Sequence, residues 1–349
     1  MTQRYAQIDQ IKIFSVFAVV AVHFLLNSGF YDIKTGSLAT SIGILCRLIF
    51  ITAVPLFMMT TGFLMGEKTL DAHYMTRLLQ FIVVYIVIAL IDWAGQCLLL
   101  HQGGTLTDAL WGLMAFSTDD YAWYVEMYIG LYLMIPFLNA AWHFNRKKAY
   151  HVYILGVAMI LFFAPSLFNA ERQLLPAWWT GAYPIGYYYL GLYFKTYQEA
   201  LQQTKWRTWF ISFVLIFGWF ATTSLIANYH RVFAWTAEND YMGYQPMMLA
   251  VLIFAMWLKV PIQPQKPTGH SQKLSIWLAN MTLSIYLMSH LTDRVIYTHL
   301  KQLVPNVADR LPWAPVVIMA SFLSATFLAG ITTWLVINPI FNQRKGQKK

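Results

Sequence analysis

Residues 5–24 read YAQIDQIKIFSVFAVVAVHF, an apolar run whose ionisable residues below the leading tyrosine are Asp9, Lys12 and His23. Eleven steps separate Lys12 from His23. At ~100° and ~1.5 Å per residue they return to nearly the same helical azimuth, ~16 Å further along the axis. Asp9 lies three residues before Lys12, so all three share one face. An ionisable side chain inside a bilayer costs about 3 kcal/mol unless it is paired or wetted, so a stripe of three reads as a functional face. With no small-residue cleavage site after it, the segment reads as a retained helix and not a signal peptide.

The rest of the chain extends the same pattern. Its 349 residues are 58% hydrophobic and 11% charged, more apolar surface than one soluble core hides. The runs are continuous, not alternating, which excludes a β-barrel. The expected fold is all-α: a polytopic transmembrane bundle of about ten spans, placed near 8–26, 44–66, 78–100, 122–142, 150–169, 181–197, 207–229, 244–260, 276–298 and 313–338. One transmembrane domain over 1–349 is expected, with no separate soluble domain. Of the 24 Lys and Arg, sixteen then fall on the side of the N-terminus and six on the other, with Lys12 and Arg47 inside spans. The positive-inside rule makes both termini cytoplasmic, and the net charge of +9 is topology, not a nucleic-acid footprint. The stretch PIQPQKPTGHSQK, 261–273, reads as a cytoplasmic linker. Cys46 and Cys97 read as free thiols, and no metal-ligand spacing is present.

This topology assigns depths. His23, Arg47, Asp92, Glu126 and the Tyr286, His290, Arg294 series with Asp293 all fall toward the outer half of their spans. The outer loops carry Asp119, Asp120, Glu238 and Asp240 among Trp111, Trp123, Trp235 and Tyr241, an interfacial belt or a surface on which sugar rings stack. Arg47 reads either as a snorkelling side chain or as part of a site, with Asp92 or Glu126 as its counter-charge.

The segment IDQIKIFSVFAVVAVHF resembles the first helix of the integral-membrane acyltransferase family 3, where a basic residue, ten intervening positions and a His form the signature. RLIFITAVPLFMMTTGFL is similar to that family's second helix, and WYVEMYIGLYLMIPFL, GYYYLGLYF and LSIYLMSHL to later ones. His290 is followed by Leu291 where many relatives have His-Pro. The resemblance implies O-acylation, commonly O-acetylation, of a cell-surface polysaccharide or lipid-linked glycan. It implies acyl-CoA (acetyl-CoA) as donor, no permanently bound cofactor, no nucleic-acid partner, and a bacterial plasma membrane.

On that footing His23 is the base toward the acceptor hydroxyl or a transient acyl carrier, and Arg47 stabilises the oxyanion. Glu126 or Asp92 holds Arg47, and His290 orients the acceptor. Lys12, Asp9 and Arg77 form the donor end, where cations meet phosphate; Trp123, Tyr286 and Asp293 contact the acceptor. The rival reading is a glycan flippase or transporter without covalent chemistry, since charges in spans also mark substrate pathways. A sensor or scaffold without turnover is a third.

Overall fold

The computed structural model describes residues 4–170, 172–259 and 269–346, the last four by backbone alone. Residues 261–268 of the expected linker lie outside the described residues, and Gly269 onward leads directly into a helix. The described chain is helical throughout, and its one β-type pairing is an isolated bridge between Lys34 and Val232. In order the helices are α1 Ala6–Ser28, α2 Leu38–Phe50, α3 Ala53–Met65, α4 Ala72–Leu100, α5 Leu106–Met114, α6 Trp123–His143, α7 Lys148–Ala158, α8 Ala164–Phe168 and α9 Tyr183–Thr196. They continue with α10 Gln198–Gln203, α11 Trp206–Asn228, α12 Tyr244–Leu258, α13 His270–Asn280, α14 Thr282–Leu303, α15 Val307–Arg310, α16 Ala314–Thr332 and α17 Asn338–Gly346.

Among the described residues, seven helical stretches are long and apolar enough to cross a bilayer, eight if the bent pair α13 and α14 is one span. This is a multi-pass membrane protein with fewer full-length spans than the ten expected from hydropathy. Two expected spans are short: α9 has 14 residues and α12 has 15. At ~1.5 Å per residue such helices cover ~21–23 Å of the ~30 Å hydrocarbon core. The expected straight span over 276–298 is instead broken at Met281, with 71° between α13 and α14. Proline placement also differs from a simple reading of breaks. Pro136 sits inside a continuous α6, while Pro55 and Pro184 lie in the first turns of α3 and α9, where proline costs no intrahelical bond.

The chain forms two compact units, one of 1–69 with 134–276 and the other of 70–133 with 277–349; the three divisions fall between α3 and α4, within α6 and within α13. In the first unit α1 is central: 61% of its apolar window is buried, against 11% for α11. It packs against α2, α3 and α12 through Ile8, Ile11, Val16, Val20 and Phe24, and ends at Gly29, whose φ of 87° only glycine adopts freely. In the second unit α14 packs against α4 and α16. Tyr74 and Tyr132 tie α4 to α6, each hydroxyl donating to the other's carbonyl, with ring centroids 4.3 Å apart. Cys46 and Cys97 are free thiols, both half-buried.

Candidate functional site

Three ionisable residues stand on α1 as the sequence implies. Asp9 and His23 are buried and Lys12 is half-buried. Asp9 is committed to a neighbour that sequence reasoning missed: Arg4 grips it with Nε at 2.7 Å and Nη2 at 3.2 Å, the two-pronged geometry of guanidinium on carboxylate. Arg77 is exposed on α4 and donates to His73 Nε2 at 2.9 Å, one turn back on the same helix.

Arg47 is only 1% exposed. Its guanidinium donates from Nε to the Tyr31 hydroxyl at 2.9 Å and from Nη1 to the Asn239 carbonyl at 3.0 Å, and it lies 4.8 Å from the ring centres of both Phe233 and Trp235. Nη2 has no hydrogen-bond partner among the described residues. Neither expected counter-charge is among these partners: Asp92 is bonded to Gln96 and His290, and Glu126 is exposed on α6. Part of the aromatic outer-loop sequence thus encloses a cation. Asp240 supplies the nearby negative charge; burial pushes its carboxyl up, and Arg47 opposes that rise. Arg47→Lys retains the charge but loses the fork that spans Tyr31 and Asn239. A cost of about 2 kcal/mol is expected, read as a lower thermal midpoint of the purified protein. An unchanged midpoint would show that the aromatic box is not structural.

The second unit holds the densest polar arrangement. His290, 4% exposed on α14, places Nδ1 3.1 Å from both carboxylate oxygens of Asp92 on α4. Asp92 is fully buried and also accepts from Gln96 Nε2 at 2.6 Å, one turn further along α4. Asp119 Oδ1 lies 3.6 Å from His290 Nδ1, and Asp120 Oδ2 lies 3.6 Å from Nε2. Burial pushes the Asp119 carboxyl above the usual carboxylate range against the pull of His290, and the Asp92 charge adds to the rise. The sequence places Asp119 and Asp120 in an outer loop, as an interfacial belt or sugar-stacking surface; Asp120 is exposed there, whereas Asp119 is fully buried. They reach His290 because α5 and the turn after it fold back over α4.

That fold-back has clear local causes. Gly103 and Gly104 take φ values of 113° and 65°, and Thr105 and Asp108 close a reciprocal capping box that starts α5. α5 buries Ala109 and Gly112 and exposes Leu106, Leu110, Trp111 and Met114, the face an interfacial helix turns to lipid. Gly112 lets the turn come close, since a Cβ there would sit 2.5 Å from Thr118 Oγ1. Phe116, at φ 52°, stacks on Tyr85, whose hydroxyl bonds the Leu113 carbonyl. Asp119 then caps the following turn by accepting from the Tyr121 N–H at 2.8 Å.

Tyr121 packs edge-on against the His290 ring, centroids 4.9 Å apart. Its hydroxyl donates to Asp293 Oδ2 at 2.8 Å, its carbonyl accepts from the Tyr286 hydroxyl, and Ser321 donates to Asp293 Oδ1. Asp293 and Tyr286, expected to contact an acceptor, therefore brace Tyr121 behind His290. Neither lines the adjoining cavity. Trp123 is half-buried against Tyr124 and is also absent from the cavity wall.

The cavity itself has a volume of about 360 Å³ and is walled by Trp93, Gln96, Asp108, Asp120, His290 and Arg294 with small residues between them. Of the expected site residues in this unit, only His290 faces it. One signal for the remainder was present in the sequence: an Asp and a Gln one turn apart inside the apolar run of α4.

A multi-pass helical membrane protein with a buried histidine held by a carboxylate at a polar cavity is suited to moving a proton to or from a substrate hydroxyl. Residues 5–335 match the acyltransferase 3 family, described as an acyltransferase domain, and the chain belongs to that family. No curated protein and no solved structure matches it.

Proposed function

We propose that this acyltransferase moves an acyl group, acetyl in the first instance, from cytosolic acyl-CoA to a hydroxyl of a cell-surface or lipid-linked carbohydrate. In this reading the protein sits in a bacterial plasma membrane with both termini cytoplasmic, and α9, α12 and the bent helix complete ten passages. The observation that carries the proposal is His290, its Nδ1 against Asp92, on the wall of a polar cavity.

The chemistry follows from that geometry. With Nδ1–H donated to Asp92, Nε2 is the atom that takes the acceptor's proton as the hydroxyl oxygen attacks the thioester carbonyl. The C–S bond then breaks, and CoA leaves as the thiol with that proton. Asp92 fixes the imidazole tautomer and stabilises the positive charge the ring gains, as the carboxylate of a serine-hydrolase triad does. His23 is the second base candidate, or an acyl carrier through its ring nitrogen, and Lys12 and Arg77 are the proposed cations for the donor phosphates. For a reaction at His23, which lies in the same unit, Arg47 Nη2, buried without a hydrogen-bond partner among the described residues, is the proposed donor for the oxyanion.

One feature favours a second reading: discontinuous helices such as the 71° break at Met281 recur at the substrate sites of transporters. Purified protein given acetyl-labelled acetyl-CoA and host glycans separates the two. Covalent transfer of label is the expected result, whereas glycan crossing a liposome membrane without label would establish the flippase.

A further inference from the structure

We infer that the cavity of the second unit is a binding site for one neutral, hydroxyl-rich ring, and that it discriminates against anionic rings. As the acceptor site this rests on the acyl-transfer reading above; as a binding site it stands on its own geometry.

The first support is size. About 360 Å³ lies at the low end of the roughly 300–1,000 Å³ typical of small-molecule sites. It has room for a single sugar-sized ring and not for the nucleotide end of CoA.

The second is the chemistry of the wall. Most of the wall is polar, with Gln96, Asp108 and Asp120 as hydrogen-bonding groups, and Trp93 contributes to its smaller apolar part. Such a mixture matches a pyranose, which has apolar C–H faces and a rim of hydroxyls.

The third is charge. Asp108 and Asp120 line the cavity and Asp92 lies directly behind His290, so with the imidazole neutral, as the acyl-transfer reading has it, three carboxylates face one permanent cation, Arg294. Arg294 is partly engaged already, donating from Nη2 to Gln102 Oε1 at 2.8 Å. A uronic acid or phosphorylated ring would bring a further negative charge to this wall, where the exposed Asp108 and Asp120 repel it most strongly at low ionic strength. Among the described residues no group of these side chains converges as a metal site, so a bridging cation is not built in to offset that repulsion. Repulsion is thus the selective element, and a neutral ring escapes it.

The experiment compares binding of methyl glucoside and methyl glucuronoside to the full-length protein in detergent, by saturation-transfer NMR without acyl-CoA. The glucoside is expected to bind saturably and the glucuronoside about tenfold more weakly, the size expected for one added like charge at this range. Trp93→Ala should weaken the glucoside about tenfold, and Trp93→Phe should restore most of it, which separates a lost stacking face from a lost fold. Asp120→Asn should narrow the gap between the two rings. Absence of saturable glucoside binding, equal or tighter binding of the glucuronoside, or indifference to Trp93→Ala would each overturn the inference. Because no donor is present, sugar binding without later acyl transfer would retain the site and count only against the acyl-transfer reading.

Discussion

Purified His290→Ala protein is expected to release CoA from acetyl-CoA, with acceptor present, about 100- to 10,000-fold more slowly than the parent, the contribution of a positioned general base. The imidazole lies between Asp92 and the cavity, and among the described residues that wall the cavity none is a second imidazole that could take its place. Asp92→Asn should reproduce most of the loss. An asparagine keeps the shape but removes the charge that stabilises the protonated ring, and its amide can present a donor to Nδ1, turning the imidazole to the wrong tautomer. Undiminished turnover in His290→Ala would remove this residue from the chemistry. His23→Ala is the companion measurement, expected to yield folded but inactive protein; full turnover there would leave His290 as the base.

The sequence revealed the spans more readily than the site, for a physical reason. A helix such as α1 is written locally: a run of apolar residues from Ile8 onward needs no other part of the chain to declare it, and the Asp9, Lys12 and His23 face follows from the helical period. The neighbours of His290 are written non-locally. Asp92 is 198 residues away, and Asp119 arrives only because the Gly103 and Gly104 turn, the α5 capping box and the positive φ of Phe116 fold one segment back over another. Hydropathy likewise registers the apolar character of α9 and α12 but not their lengths, which depend on where the preceding loop stops. Neither Asp92 nor Glu126, the expected counter-charges, is among the partners of Arg47, because charge complementarity is only one way to hold a buried guanidinium. Tyr31, Phe233, Trp235 and a backbone carbonyl hold it here.

Two segments that carry the family likeness have a mechanical explanation, and it leads to the largest expected loss of stability. Gly62 lies in TTGFLMG on α3 and Gly191 in GYYYLGLYF on α9. A Cβ added at Gly62 would sit 2.0 Å from the Tyr188 carbonyl oxygen, and one at Gly191 would sit 1.9 Å from that of Met59. Both obstacles are backbone, so no rotamer change relieves them. Gly62 and Gly66 also have the four-residue spacing with which membrane helices bring their backbones together. Gly191→Ala is therefore expected to cost about 3 kcal/mol or more, at or beyond the upper end of ordinary overpacking, and to deplete monodisperse protein after detergent extraction. Gly218→Ala on α11 is the matched control, since nothing lies within 4 Å of a Cβ there. Relief of backbone entropy should make that change neutral or stabilising by about 0.5–1 kcal/mol. The same methyl group thus acts with opposite sign at two helical glycines of one unit, and a Gly191→Ala thermal midpoint equal to the parent's would show that α3 and α9 do not meet backbone to backbone. If they do meet, these glycines fix the packing of α3, against which α1 and its His23 are set, and their substitution removes activity by unseating that helix without touching a reacting group.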